Sequence, residues 1–162
     1  MEQTYAIELK NITKRFGKIV ANDGINLKVK RGEILSLLGE NGSGKTTLMN
    51  MISGIYFPDE GHILVDGKAV SIRSPKDSFD LGIGMIHQHF KLIDVMTAAE
   101  NIILGLKGNA VLDMKKVHKD IQELVDRYGF DLDPAQKVYT MSVSQKQTVE
   151  IVKMLYLGAN IL

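Results

Sequence analysis

Gly39-Glu40-Asn41-Gly42-Ser43-Gly44-Lys45-Thr46 satisfies the phosphate-cradling pattern G-x-x-x-x-G-K-[ST] at every constrained position. The apolar run Ile34-Leu35-Ser36-Leu37-Leu38 leads into it and reads as a short buried strand. Thr47-Leu48-Met49-Asn50-Met51-Ile52 follows with helix-compatible residues, and Gly54 is placed to end that helix. Strand, loop and helix in this order are what the motif requires. A phosphate would rest on the helix N-terminus, where unpaired backbone N–H groups and the positive dipole end converge. Gly42 and Gly44 let the backbone curl without Cβ clashes, and Lys45 reaches the β- and γ-phosphates. The Thr46 hydroxyl ligates Mg²⁺. Gly39, Glu40, Asn41, Ser43 and Thr47 complete the expected nucleotide-binding set. The competing reading is a glycine-rich turn before an ordinary helix.

The composition narrows the partners. The chain has 162 residues, 44% of them hydrophobic, and fifteen glycines, enough apolar material for a core in a loop-rich α/β protein. A net charge of +1 provides no global basic field, so no nucleic acid is expected as a partner. Without cysteine there is neither a disulfide framework nor a thiolate metal site. Met1-Glu2-Gln3-Thr4 is unlike a signal peptide, and no apolar stretch approaches membrane-spanning length, so the expected residence is cytoplasmic. His62, His87, His89 and His118 read as ordinary polar residues, since a metal site would need more ligands in a coherent geometry.

Along the chain, Tyr5-Ala6-Ile7-Glu8-Leu9 and Ile25-Asn26-Leu27-Lys28-Val29 alternate apolar and polar residues and predict an antiparallel, half-exposed sheet. Ile63-Leu64-Val65 and Lys68-Ala69-Val70 flank Asp66-Gly67, a strong hairpin signal. Ser74-Pro75-Lys76-Asp77 opens a helix, and Ile83-Gly84-Met85-Ile86 reads as a short buried strand. Thr97-Ala98-Ala99-Glu100 is a capping box starting a helix that runs through about Leu104. From Asp113, the positions Met114, Val117, Ile121, Leu124, Val125 and Tyr128 form an apolar stripe at helical spacing, closed by Gly129. A last helix is predicted from about Ser144 to Leu157. Helices thus crowd the middle third between strand-rich ends, which predicts a helical subdomain inserted into an α/β core.

Two further segments carry a resemblance. Met85-Ile86-His87-Gln88-His89-Phe90 places a glutamine at the end of a strand, and Met141-Ser142-Val143-Ser144-Gln145-Lys146-Gln147 precedes the final helix. Together with the P-loop, in this order and spacing, they resemble the nucleotide-binding domain of an ABC transporter, from about Tyr5 to the last residue. Thr13-Lys14-Arg15-Phe16-Gly17, Gly54-Ile55-Tyr56-Phe57-Pro58-Asp59-Glu60-Gly61 and Leu92-Ile93-Asp94-Val95-Met96-Thr97-Ala98-Ala99-Glu100-Asn101 share in it. Within the family, His87-Gln88-His89-Phe90-Lys91-Leu92 and Ser142-Val143 resemble the simple-sugar and nucleoside importers.

The resemblance implies an α/β P-loop NTPase core with an N-terminal antiparallel β-subdomain and an inserted helical subdomain, incomplete at the C-terminus. The α/β and β core would span about 1–87 and the helical subdomain about 88–158, while 159–162 would start a truncated core strand. The cofactors implied are ATP and Mg²⁺. Phe16 would stack on adenine, as a flat aromatic face can, or else close the first strand as a core residue. Lys45 and Gln88 would be the catalytic groups present, with Gln88 and Thr46 serving Mg²⁺. Ser142, Val143, Ser144 and Gln145 would contact ATP held by a second copy, although Ser142 as a plain helix cap is the simpler reading. The implied partners are a second nucleotide-binding domain and membrane-spanning subunits, with the chain peripheral at the inner face of the membrane.

Two departures qualify the resemblance. Ser144 stands where the family has glycine, and its Cβ is expected to force an unfavourable φ and weaken the half-site; Thr148 replaces a usual arginine. Restoring Ser144→Gly would then raise ATP-driven dimerisation. The 162 residues also stop at Asn160-Ile161-Leu162, before the strand whose Asp and Glu the family uses for Mg²⁺ and the hydrolytic water, and before its switch histidine. Weak ATP binding, negligible hydrolysis and self-association are expected of the chain alone. A non-catalytic nucleotide-binding module and a soluble ABC-type ATPase acting on ribosomes or DNA are the alternatives; the near-neutral charge opposes the latter.

Overall fold

The computed structural model describes residues 5–87, 91–106 and 113–162. Alternating residues from Tyr5 onward build a four-stranded antiparallel sheet of order β2-β1-β3-β4, comprising β1 (Tyr5–Phe16), β2 (Ile19–Lys30), β3 (Glu60–Val65) and β4 (Lys68–Val70). The β3–β4 hairpin turns through Asp66 and Gly67, with φ of 49° and 76°. Positive φ at both central residues matches the right-handed twist of the paired strands, which is why Asp-Gly occupies this turn. The sheet's inner face buries Ile7, Leu9, Ile12, Ile63 and Val65 against Leu48 and Met51 of helix α1 (Lys45–Ile52). Each such fully buried aliphatic side chain contributes about 2 kcal/mol of transfer free energy. Glu8 lies on the other side of the pleat, where Lys28 and then Lys10 hold its carboxyl below the ordinary carboxylate range.

Helix α2 (Pro75–Asp80) begins as expected: the Ser74 hydroxyl accepts a bond from the Asp77 N–H at 3.2 Å, and proline takes the first helical position. Ile83 is buried, but the expected strand 83–86 is reduced to one parallel bridge, Ile83 to Ile161. In it, Gly84 N–H donates to the Ile161 carbonyl at 2.8 Å and Ile161 N–H donates to the Gly82 carbonyl at 3.1 Å.

The strand expected over Ile34–Leu38 is not formed. Ile34 and Leu38 are 97% and 93% exposed, and only Leu37 packs against the sheet's core. An apolar run becomes a strand only by laddering with a neighbour, and none of the described strands pairs with it. The strand-rich C-terminal end is likewise corrected: beyond β4 the described residues pair only through two isolated bridges, Ile83 to Ile161 and Thr97 to Lys137.

Chain contacts divide the protein into two compact units, one running through Gly84 and including Ile161, the other from Met85 to Asn160 with Leu162. The second unit packs α3 (Ala98–Ile103), α4 (Met114–Tyr128) and α5 (Val143–Tyr156) around Ile102, Ile121, Val138, Val149 and Val152. The N-terminal signal expected for α3 is realised. In the capping box of α3, Thr97 N–H donates to Glu100 Oε2 at 2.6 Å and Glu100 N–H donates to Thr97 Oγ1 at 3.2 Å. Asp113 caps α4, and Gly129 ends it at φ 68°. The stripe of α4 buries Val117, Ile121 and Val125, but Tyr128, assigned to it by spacing, is half exposed and lies against Phe130 at 5.9 Å. At the helix end Tyr128 stays half exposed, a place that an amphipathic phenol tolerates.

Candidate functional site

The P-loop runs directly into α1, and Gly44 at the junction has φ 86°. A Cβ there would lie 2.3 Å from the Ala21 carbonyl oxygen of β2 and 2.8 Å from Asn22 Nδ2. Glycine at 44 is therefore demanded twice, by the left-handed turn and by the close approach of strand to loop. Gly42, at φ 85°, is demanded only by its backbone angle, since nothing lies within 4 Å of a Cβ there. At Gly39 a Cβ would meet Ser43 Oγ, a hydroxyl that can turn aside, at 2.9 Å and would touch Lys45 Nζ at 3.7 Å, so Ser43 and Lys45 fold back over the start of the loop.

Inside that winding the Lys45 ammonium donates to the carbonyls of Gly39 and Glu40, both at 2.7 Å, and to Ser43 Oγ at 3.1 Å. A cation cupped by neutral oxygens is poised to exchange them for charged ones, because charge-assisted bonds are roughly twice as strong as neutral ones. Among the described residues no side chain caps α1, and no acid occupies its first turn, so the helix end presents its N–H groups and dipole. Residues 39–43 and Thr46 are exposed, while Gly44, Lys45 and Thr47 are half-buried. The winding, the uncapped amides and the inward-folded Lys45 ammonium fit a polyphosphate, and the hydroxyl of exposed Thr46 fits a magnesium ligand.

Phe16 closes β1 opposite Ile19 of β2. It is 42% exposed, so the core reading is excluded. Tyr56 meets it edge-on at 5.2 Å and 71°, and the Lys14 ammonium lies 5.5 Å from its centroid. Asp59 secures this strand end, accepting from Arg15 N–H at 2.6 Å and Lys14 Nζ at 2.9 Å. The Arg15 amide and then the Lys14 ammonium hold its carboxyl below the ordinary carboxylate range. Gln88 lies outside the described residues.

In the second unit, Ser142 is the N-cap of α5. Its Oγ accepts from Gln145 N–H at 3.2 Å, and Gln145 Oε1 accepts from Ser142 N–H at 3.0 Å. The capping reading of Ser142 is thus realised, and among the described residues none accepts the hydroxyl's own proton. Val143 and Ser144 are exposed in the first turn. The expectation of backbone strain at Ser144 is overturned: it is helical, has no positive φ, and its carbonyl accepts from Thr148 Oγ1 at 3.1 Å. A first-turn helical position accepts any L-residue without conflict.

Three participants escaped the sequence reading. Asn22 is buried, donates from Nδ2 to the Gly44 carbonyl at 3.3 Å, and leaves its Oδ1 unpartnered among the described residues. Asp59 was visible only as part of a resembling stretch. Glu150 is 7% exposed and accepts from Lys91 N–H at 3.1 Å across 59 residues of sequence. A charged residue in the buried stripe of α5, between Val149 and Val152, was the signal that could have revealed it.

The ABC transporter family matches residues 22–162. The chain belongs to that family. Among curated ABC proteins it is 52% identical over 98% of its length to the guanosine import ATP-binding protein NupO of Bacillus subtilis. It is 51% identical over its whole length to the nucleoside import ATP-binding protein NupA of Lactococcus lactis, and 44% identical over 96% to a ribose import ATP-binding protein RbsA 1 of Rubrobacter xylanophilus. It spans about a third of each relative's length (31%, 32% and 32%). Among solved structures, the ADP conformation of the ATP-binding cassette MJ1267 superposes with a TM-score of 0.82 at 26% identity, covering 96% of this chain and 66% of the other. The ADP- and Pi-bound dimer of the cassette MJ0796 gives 0.69 at 30% identity, covering 93% and 69%. The α/β P-loop cassette fold is therefore shared. Among the described residues no helix is long and apolar enough to cross a membrane.

Proposed function

We propose that this chain is the Mg-ATP-binding part of an ABC importer that couples ATP binding and hydrolysis to uptake of a nucleoside or sugar. The likeness to nucleoside-import proteins at 52% and 51% identity, against 44% for the ribose protein, favours a nucleoside as the solute. The observation that carries the reading is the uncapped N-terminus of α1 behind Gly44, with the Lys45 ammonium folded onto carbonyls that phosphate oxygens would replace.

In this reading the backbone N–H groups from Gly42 to Thr46 bind the phosphates, assisted by Lys45, and Glu40, Asn41, Ser43 and Thr47 complete the loop's contacts. Phe16 offers its face to the adenine, positioned by Tyr56 and the Asp59 clamp. Thr46 and Gln88 would hold Mg²⁺, which when bound would neutralise phosphate charge. The exposed turn of Ser142, Val143, Ser144 and Gln145 donates to nucleotide on a second copy, and membrane-spanning subunits receive the resulting closure at the cytoplasmic face. The groups named here bind nucleotide; a positioned base for the attacking water is not among them.

Calorimetric titration with Mg-ATP tests this. Lys45→Ala removes a hydrogen bond to a charged group worth about 1.5–3 kcal/mol. The dissociation constant should rise about ten- to a hundredfold. Equal affinity in the two proteins would overturn the assignment.

A further inference from the structure

The helix that begins at the Ser142 turn also grips the chain just beyond Gln88. Glu150, two turns into α5, is 7% exposed, and its Oε1 accepts from the Lys91 N–H at 3.1 Å. One turn earlier on the same face, the Lys146 ammonium pairs with Asp94 at 3.1 Å. The i, i+4 pair thus lays residues 91–94 along the helix at two points. Asn101 of α3 fixes the same segment independently, its Oδ1 accepting from Ile93 N–H at 2.7 Å and its Nδ2 donating to the Ile93 carbonyl at 3.0 Å. A buried carboxylate is costly unless it is hydrogen-bonded. Packing alone would be served by an apolar residue at 150, flanked as it is by buried Val149 and Val152. A carboxylate accepting a main-chain N–H is the arrangement that sets where the backbone runs.

We propose that Glu150 is a positioning residue: it ties the main chain at Lys91, three positions after Gln88 in the sequence, to α5, so that the Ser142 turn and residues 91–94 move as one piece. The role of Gln88 rests on the nucleotide reading above; the tether itself does not. Lys146 adds a second, more exposed hold, so a displacement of the Ser142 turn by nucleotide on a second copy is carried to residues 91–94, the stretch that follows Gln88 in the sequence.

Amide hydrogen exchange at Lys91 reads the tether directly. The wild-type chain and Glu150→Gln, whose amide oxygen still accepts, should both protect the Lys91 N–H. Glu150→Leu should exchange it at least about tenfold faster. The Ile93 amide, held by Asn101, should keep its rate in every variant and so report an intact unit. In a complete ATP-hydrolysing protein carrying this segment, Glu150→Leu should lower kcat about tenfold with KM for ATP nearly unchanged, and Glu150→Gln should restore it. Equal Lys91 exchange in wild type and Glu150→Leu would overturn the tether, whatever the nucleotide affinity. A proportional rise in KM with kcat unchanged would overturn its positioning role. Failure of wild type to bind Mg-ATP would instead break the nucleotide reading, leaving the exchange result to stand.

Discussion

Helices α1 and α5 both begin at segments expected to meet phosphate, yet they finish their N-termini in opposite ways. α1 starts behind Gly44, has no side-chain cap, and leaves its first-turn amides open. α5 starts behind Ser142 and closes its first turn with its own capping box. An uncapped end gains most from an anion; a capped end has already satisfied part of its demand. The difference teaches that the two helix starts are not equivalent: α1 leaves first-turn amides that an anion would satisfy, whereas the Ser142 turn is closed by its own capping box.

The comparison is broken most forcefully at Gly44. Gly44→Ala places a Cβ 2.3 Å from the Ala21 carbonyl at a φ of 86°, and should cost at least about 2 kcal/mol of stability in denaturant titration. Gly42→Ala, with open space around its Cβ, should cost only about 1 kcal/mol, the backbone strain alone. Equal costs at the two positions would mean that the loop does not rest on β2 as described.

A smaller effect is expected at the other helix. Ser142→Ala removes one half of the capping box and should destabilise the helical unit by about 1 kcal/mol, seen as a lower thermal midpoint. An unchanged midpoint would show that the turn is not self-sufficient.

The smallest effect concerns Asp59, whose carboxyl titrates below its ordinary range because the Arg15 amide and the Lys14 ammonium bond its charged form. A depressed folded pKa stabilises the fold above the ordinary carboxylate range, and that contribution is lost as the pH falls through the lowered value. Asp59→Asn should therefore narrow the stability difference between neutral and strongly acidic solution. An acid limb identical to wild type would remove Asp59 from the account.

What was legible in the sequence was chemistry confined to short windows. The G-x-x-x-x-G-K-[ST] spacing, the Thr97 capping box, the Gly129 helix end and the Asp66-Gly67 turn each depend on residues a few positions apart, and each appears where expected. Ile34–Leu38 misled because apolarity records what a segment would bury, whereas strand formation depends on a neighbour. Ser144 misled because the glycine requirement was inferred from a ligand's approach, while its own backbone is helical and unstrained. Asn22, reaching Gly44 across 22 residues, and Glu150, reaching Lys91 across 59, had no local signature because their partners are chosen by tertiary packing.

The central claim is tested most directly by following backbone amide resonances of the chain during titration with Mg-ATP. The Gly42, Gly44 and Lys45 amides should shift strongly and saturate together, while those of Val143, Ser144 and Gln145 stay nearly still at concentrations where the chain is monomeric. Shifts of equal size at both helix starts, or a Gly44 amide that does not respond, would contradict the account.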